Sequence, residues 1–293
     1  MGLKLTEFSP AAKKIFSAGD DITMIASGYN FTEGPVWDIK KECLYFTDFR
    51  NDLILMWTKE AGAGIYRNKA NRAIGLSMDG EGRIVSAESS SRCIAWADGE
   101  KSVAIAASYQ GKKLNSPNDV VVSKSGDIFF TDPYSTALGY EREIDFNGVY
   151  TFNPGGETQL IYGGFGWPNG IALSPDESIL YVNDTGLQQI FAFNITEKNY
   201  PLSPKIFATL DPAYGPGAPD GMKVDVEGNV YVTGPGGLWV LSPDGQPLVI
   251  LHSPEFVGNF CFGGADSKTI FLTASTSVYR VPVGIPGIVP YRK

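Results

Sequence analysis

The amino-acid sequence predicts an all-β fold, a six-bladed β-propeller built as one domain over residues 1–293. Three observations carry this expectation. A unit of strand, turn and strand recurs along the chain. Its copies are spaced as four-stranded blades are spaced. No long amphipathic helical pattern occurs; the stretch Pro10 to Phe16 has room for at most a couple of turns.

The unit is clearest from Trp167 to Phe193. Ile171 to Leu173 is an apolar run, Ser174-Pro175-Asp176-Glu177 a turn, and Ile179 to Val182 an alternation of β-branched and aromatic residues. Asn183-Asp184-Thr185-Gly186 turns the chain again before Ile190 to Phe193. β-formers bounded by Gly, Pro, Asn and Asp are the signature of short strands. Pro117 to Asp132 and Pro219 to Thr233 repeat the pattern, each with an oxygen-bearing side chain just after the proline. Taking the residue before each first strand as a marker gives Glu33, Ile74, Asn118, Asn169, Asp220 and Asn259. Their intervals of 41, 44, 51, 51 and 39 residues match the period of propeller blades.

The elements follow in order. Residues 1–30 are a lead-in, with a strand at Ile22 to Ala26 and a weaker one at Ile15-Phe16. Blades begin near residues 31, 74, 117, 168, 219 and 258, and the third carries an insertion from Tyr134 to Asn147. Fourth strands are expected at Ser102 to Ala106, Gln159 to Tyr162, Lys205 to Leu210 and Leu248 to Leu251. The lead-in strand is expected to pair with the last blade and close the ring, which removes two open edges.

Composition narrows the function. Hydrophobic residues make up 43% and charged residues 19%, enough apolar material for a core. A net charge of −8 argues against a nucleic-acid surface, which needs a basic patch. Cys43, Cys93 and Cys261 share no close spacing, so neither a disulfide framework nor a zinc site is expected. The N-terminus has no secretory h-region and no apolar run reaches the length of a membrane span. The expectation is a cytoplasmic protein without nucleic-acid or membrane partners.

In a propeller the first strand of every blade lines the central channel, so the six markers should form a ring at one mouth. Five of them carry side-chain oxygen, Ile74 being the exception. Carboxylates from Glu33 and Asp220 with amides from Asn118, Asn169 and Asn259 make a hard-oxygen set. Such a set suits calcium, magnesium or manganese. The bland alternative is that Pro-Asn-Gly and Pro-Asp-Gly are simply good turns.

These motifs also carry a resemblance. Glu33-Gly34-Pro35-Val36-Trp37, Pro117-Asn118-Asp119, Phe129 to Pro133, Pro168-Asn169-Gly170, Pro219-Asp220-Gly221-Met222 and Asn259 to Gly264 occur in the order and spacing of one family. The chain resembles, along nearly its whole length, the SMP-30/gluconolactonase/regucalcin-like (LRE-like) propeller lactonases. The resemblance implies one divalent metal at the channel mouth, calcium first, with magnesium, manganese or zinc as alternatives. It implies Glu33, Asn169 and Asp220 as ligands, Asn118 on the metal or the substrate, and Asp220 as the proton-transfer residue. The implied reaction opens a small lactone to its hydroxy acid, the metal polarising the carbonyl. Two departures stand out: Ser residues fill the second-blade segment where many relatives carry His, and Ser116 stands where some carry Arg.

Further candidates come from position. Asp132, Tyr134, Trp167 and Asn259 are expected to contact substrate together with Asn118. Asp132 and Asp184 end second strands near the mouth, as ligands of a second cation or of substrate hydroxyls, or as turn caps. Phe165, Tyr140 and Tyr214 are candidates for an apolar rim. His252 is the only histidine, so a His dyad is excluded and a structural role expected. No G-x-S-x-G context supports a serine hydrolase. Two other functions fit the same residues: a calcium-dependent phosphotriesterase-type hydrolase, and a propeller that binds a metabolite or protein without catalysis.

Overall fold

The structure, a computed structural model, describes residues 1–17, 19–196 and 199–289. Six antiparallel sheets surround a central channel, and each has the four-stranded order of a propeller blade. The first blade is Thr32–Asp38, Cys43–Asp48, Leu53–Thr58 and Gly62–Asn68, from channel to rim. Blades two to five repeat this order, beginning at Ala73–Met78, Val120–Val122, Pro168–Leu173 and Met222–Val224. The sixth blade takes three strands from Val257–Gly263, Thr269–Ala274 and Ser277–Pro282, and its outermost strand from Thr23–Ser27.

Burial explains the sequence pattern. The innermost strands Thr32–Asp38, Pro168–Leu173 and Val257–Gly263 are buried at every position, because both faces pack on neighbouring blades. They therefore read as runs rather than alternations. The rim strands are partly wet: Gly62–Asn68 buries only Arg67 fully. Aromatic rings fill the wedges between blades. Trp37 of blade one stacks on Phe271 of blade six with centroids 5.0 Å apart.

The lead-in closes the ring and extends a second blade. Thr23–Ser27 pairs with Ser277–Pro282, setting Met24 opposite Tyr279. Lys4–Glu7 adds a fifth strand to blade five by pairing with Pro247–His252. His252 ties this addition down, with Nε2 2.8 Å from Thr6 Oγ1 and Nδ1 2.9 Å from the Gly236 carbonyl. Between the two lies one correction: Ile15-Phe16 is not a strand. Ala12–Ile15 forms a single helical turn that buries Ala12 and Ile15. A pair of apolar residues is too short to distinguish the two periods.

The second strands end in acids at one equivalent position in four blades: Asp48, Glu88, Asp132 and Asp184. All four are fully buried and clamp the segment that enters their own blade. Asp48 accepts from the N–H groups of Asn30 and Phe31, each at 3.0 Å. Asp132 accepts from Asn115 N at 2.7 Å, and Asp184 from Gly166 N at 2.7 Å. Glu88 accepts from Arg67 Nη1 at 2.9 Å, Asn71 Nδ2 at 2.7 Å, and the Ser91 and Ser102 hydroxyls at 2.8 and 2.7 Å. Asp132, expected to contact substrate, has no exposed surface: its Oδ2 holds the loop before Asn118, and its Oδ1 is buried without a hydrogen-bond partner.

Two outcomes follow. Glu88→Ala leaves Arg67 buried without its partner, so stability should fall by about 3–5 kcal/mol in denaturant unfolding. Burial pushes the Asp132 carboxyl up to about 7, against the N–H groups of Asn115 and Ser116. An unfolded Asp titrates near ~3.9. The folded chain therefore keeps a proton that the unfolded chain loses between those values, and this group adds stability as pH falls from about 7 towards 4. Asp132→Asn should flatten that part of the profile in thermal melts between pH ~5 and ~8, and should be no less stable than the parent at the alkaline end.

Candidate active site at the channel mouth

The start of each first strand approaches the start of the next. Gly75 N donates to the Asn118 carbonyl at 2.7 Å, and Gly221 N to the Gly258 carbonyl at 2.8 Å. Second-strand side chains add a latch across four of the joints. Thr47 Oγ1 donates to the Ile74 carbonyl at 3.1 Å, Thr131 Oγ1 to Asn169 at 2.8 Å, Asn183 Nδ2 to Asp220 at 2.6 Å and Thr233 Oγ1 to Gly258 at 3.1 Å. These bonds identify the ring: Glu33, Ile74, Asn118, Asn169, Asp220 and Gly258. The marker for blade six is therefore shifted by one. Asn259 lies one residue further into the channel than the ring, at the level of Asp119. Its Oδ1 accepts from Phe260 N at 2.9 Å, as Asp119 Oδ1 accepts from Val120 N at 2.9 Å.

The glycine that follows four of the ring residues has a steric cause. A β-carbon on Gly34, whose φ is 46°, would overlap the Ile74 carbonyl oxygen, and one on Gly170 would overlap that of Asp220. The recurring x-Gly is a close approach between blades, not a turn. Blades three and six place Asp119 and Asn259 there instead, because Gly75 and Gly221 in the preceding blades make room for them.

Ring side chains converge as acceptors. Glu33 is 3% exposed and Asn169 6%, while Asn118, Asp220 and Ile74 are half-buried at the mouth. Asn169 Nδ2 donates to Thr185 Oγ1 at 3.1 Å, which turns its Oδ1 away; that oxygen is buried and has no partner. Burial, with Asp119 nearby, pushes the Glu33 carboxyl up to about 7 against the Gly34 N–H. Burial also raises Asp220 well above the usual carboxylate range, and the carboxylates of Glu33 and Asp119 add to it. Buried carboxyls with raised proton affinity and an orphaned amide oxygen are the mark of a site that wants a cation. Among the described residues no three His, Cys, Asp or Glu side chains form a metal-holding group. The donor set at hand is two carboxylates and an amide oxygen, a hard set that fits calcium or magnesium and not a soft metal.

Other expected contacts divide. Trp167 and Tyr134 are half-buried beside the mouth. Trp167 N donates to Asp184 Oδ2 at 3.3 Å, and the Tyr134 hydroxyl to the Tyr140 carbonyl at 3.0 Å. Tyr140 is held by its hydroxyl on the Asn115 carbonyl and lies under the Arg92 guanidinium, 4.2 Å from the ring centroid. Phe165 is core, packed on Phe191 and Phe193, and Tyr214 packs on Phe8 and Trp239. The three cysteines are buried free thiols. Two clefts, of about 830 and 480 Å³, are lined by none of the ring's polar residues. Two channel residues escaped the sequence reading, Asp119 and Lys223. A signal existed for each: Asp119 breaks the x-Gly rule, and Lys223 interrupts an apolar strand.

Known proteins resemble this chain in sequence and in fold. A gluconolactonase of Zymomonas mobilis is 33% identical over 95% of this chain and 85% of its own length. A pentonolactonase of Haloferax volcanii is 26% identical over 83% of this chain and 81% of its own. The solved structure of a gluconolactonase from Xanthomonas campestris superposes with a TM-score of 0.87 at 27% identity, covering 97% of this chain and 95% of that one. No helix among the described residues is long and apolar enough to cross a membrane. Residues 31–276 match the family described as SMP-30/Gluconolactonase/LRE-like region, and this chain belongs to that family.

Proposed function

We propose that this protein is a divalent-metal-dependent lactonase that opens a sugar lactone, or a related small lactone, to its hydroxy acid. The orphaned Asn169 Oδ1, at a ring position beside the Glu33 and Asp220 carboxyls, carries the metal part of the reading. The gluconolactonase and pentonolactonase relatives support the reaction class. Glu33, Asn169 and Asp220 would hold the ion, with Asn118 on the ion or the substrate. The ion, calcium before magnesium, manganese or zinc, would supply Lewis-acid polarisation of the lactone carbonyl and acidify a water.

The remaining work falls to the chain. Asp220 is the proton-transfer residue, the role that the family resemblance implies for it, and it is half-buried at the mouth. It takes a proton from the attacking water or gives one to the leaving ring alkoxide. Water adds at the carbonyl carbon, the ring C–O bond breaks, and the proton ends on the new hydroxyl. Asn118 offers an amide that orients the ester group, while Trp167 and Tyr134 border the entry.

Titration of released acid in a pH-stat tests this. Glucono- and pentonolactones should be hydrolysed, chelation should abolish turnover, and calcium should restore it. Asp220→Asn should lower kcat by about 10²–10⁴-fold; full activity in metal-stripped protein or in that variant would overturn the mechanism. Turnover of aryl phosphotriesters but of no lactone would transfer the site to the other hydrolase class.

Gly258 supplies a second test. Its β-carbon, if present, would lie 2.5 Å from Glu33 Oε1. Gly258→Ala should therefore displace the Glu33 carboxyl. The expected outcome is a near-native melting temperature in chelator together with a reduced calcium-induced rise in it, since that rise measures ligand bound to the folded state.

A further inference from the structure

Directly below the ring lies a polar layer that the proposed chemistry does not use. Lys223, on the innermost strand of blade five, reaches across the channel. Its Nζ is 2.9 Å from the Met222 carbonyl, 3.5 Å from Asn259 Oδ1 and 3.9 Å from Asp119 Oδ2. Asp119 Oδ2 is buried without a hydrogen-bond partner. The Asn259 side chain, beside both carboxyls, lowers the proton affinity of Glu33 and of Asp119. Side chains of blades three, five and six thus meet at one ammonium group, and that cation acts on Glu33, Asp119 and Asp220 alike.

We infer that Lys223 is a positioning residue, a built-in cation that sets the charge of the site for one divalent ion. The inference rests on the metal reading above. Glu33, Asp119 and Asp220 carry three negative charges when ionised. A dication and the Lys223 ammonium together supply three positive charges, so the buried cluster becomes neutral only when both are present. Burial makes any residual charge expensive. Lys223 also gives the Asp119 carboxylate a counter-charge below the ring, leaving Glu33, Asn169 and Asp220 to face the mouth.

This makes a claim about selectivity that a purely structural lysine would not. Removing one positive charge favours a trivalent ion over a divalent one, because the added attraction scales with the charge of the ion. Calorimetric titrations at pH ~7.5 with calcium and with terbium would compare the native protein, Lys223→Met, Lys223→Arg and Lys223→Met combined with Asp119→Asn. The charge at each site follows from its ionisable groups. Lys223→Met should raise the ratio of terbium to calcium affinity by roughly three- to ten-fold. Lys223→Arg should keep the native ratio, and the double variant, which removes one charge of each sign, should return to it. Circular dichroism and melting in chelator establish that each variant is folded; if Lys223→Met does not fold, Lys223→Gln takes its place. An unchanged ratio in the charge-removing variant, or a changed one in Lys223→Arg, would overturn the inference while leaving the lactonase reading intact. Failure of the native protein to bind either ion would overturn both.

Discussion

The architecture depends on the joint between adjacent blades at the channel mouth. At each of four joints a second-strand side chain donates to the ring carbonyl of the next blade: Thr47 to Ile74, Thr131 to Asn169, Asn183 to Asp220 and Thr233 to Gly258. These bonds fix backbone against backbone, so that each ring side chain leaves from a defined point. A buried carbonyl deprived of its donor is costly, and the inner strands have no water to replace it. The same contact explains the glycines, since Gly34 and Gly170 touch carbonyls where a β-carbon has no room. Fold and site therefore share one set of interactions.

Electrostatics sharpens the picture. The ring and the layer under it gather three carboxyl groups in a space with little solvent, and burial is the first cause of the raised proton affinity of each. Such a cluster is tolerable only with cations or protons to offset it. The clamp acids are buried in a different way. Asp48 and Glu88 accept several donors each, so their charge is spent on loop geometry. The distinction separates a carboxylate waiting for a ligand from one that already has its partners, and it places Asp184, which accepts from the N–H groups of Gly166, Trp167, Gly186 and Leu187, with the clamps.

Much of this was legible along the chain. The repeat, the blade period and the ring positions of Glu33, Asn118, Asn169 and Asp220 follow from motifs that recur in register, because each blade must solve the same packing problem. The one-residue shift in blade six was not legible. Asn259 is flanked by Gly258, and only the bond from Gly221 N to the Gly258 carbonyl shows which of the two occupies the ring. Asp119 and Lys223 stayed hidden for a related reason: their importance comes from a meeting across the channel between blades three and five, which no local pattern records.

By itself, the sequence determined that the chain is a six-bladed propeller and which residue types are brought to one mouth, because strand period and turn chemistry are local properties that repeat. Only the tertiary structure decided which oxygens are left without partners. Asp184 and Asn169 are both polar residues of blade four, yet both oxygens of Asp184 accept backbone N–H groups while Oδ1 of Asn169 is buried and unpaired. That difference depends on which donors arrive within hydrogen-bonding distance. It is set by the closure of the whole ring, from Thr23–Ser27 against Ser277–Pro282 to the latch between Asn183 and Asp220.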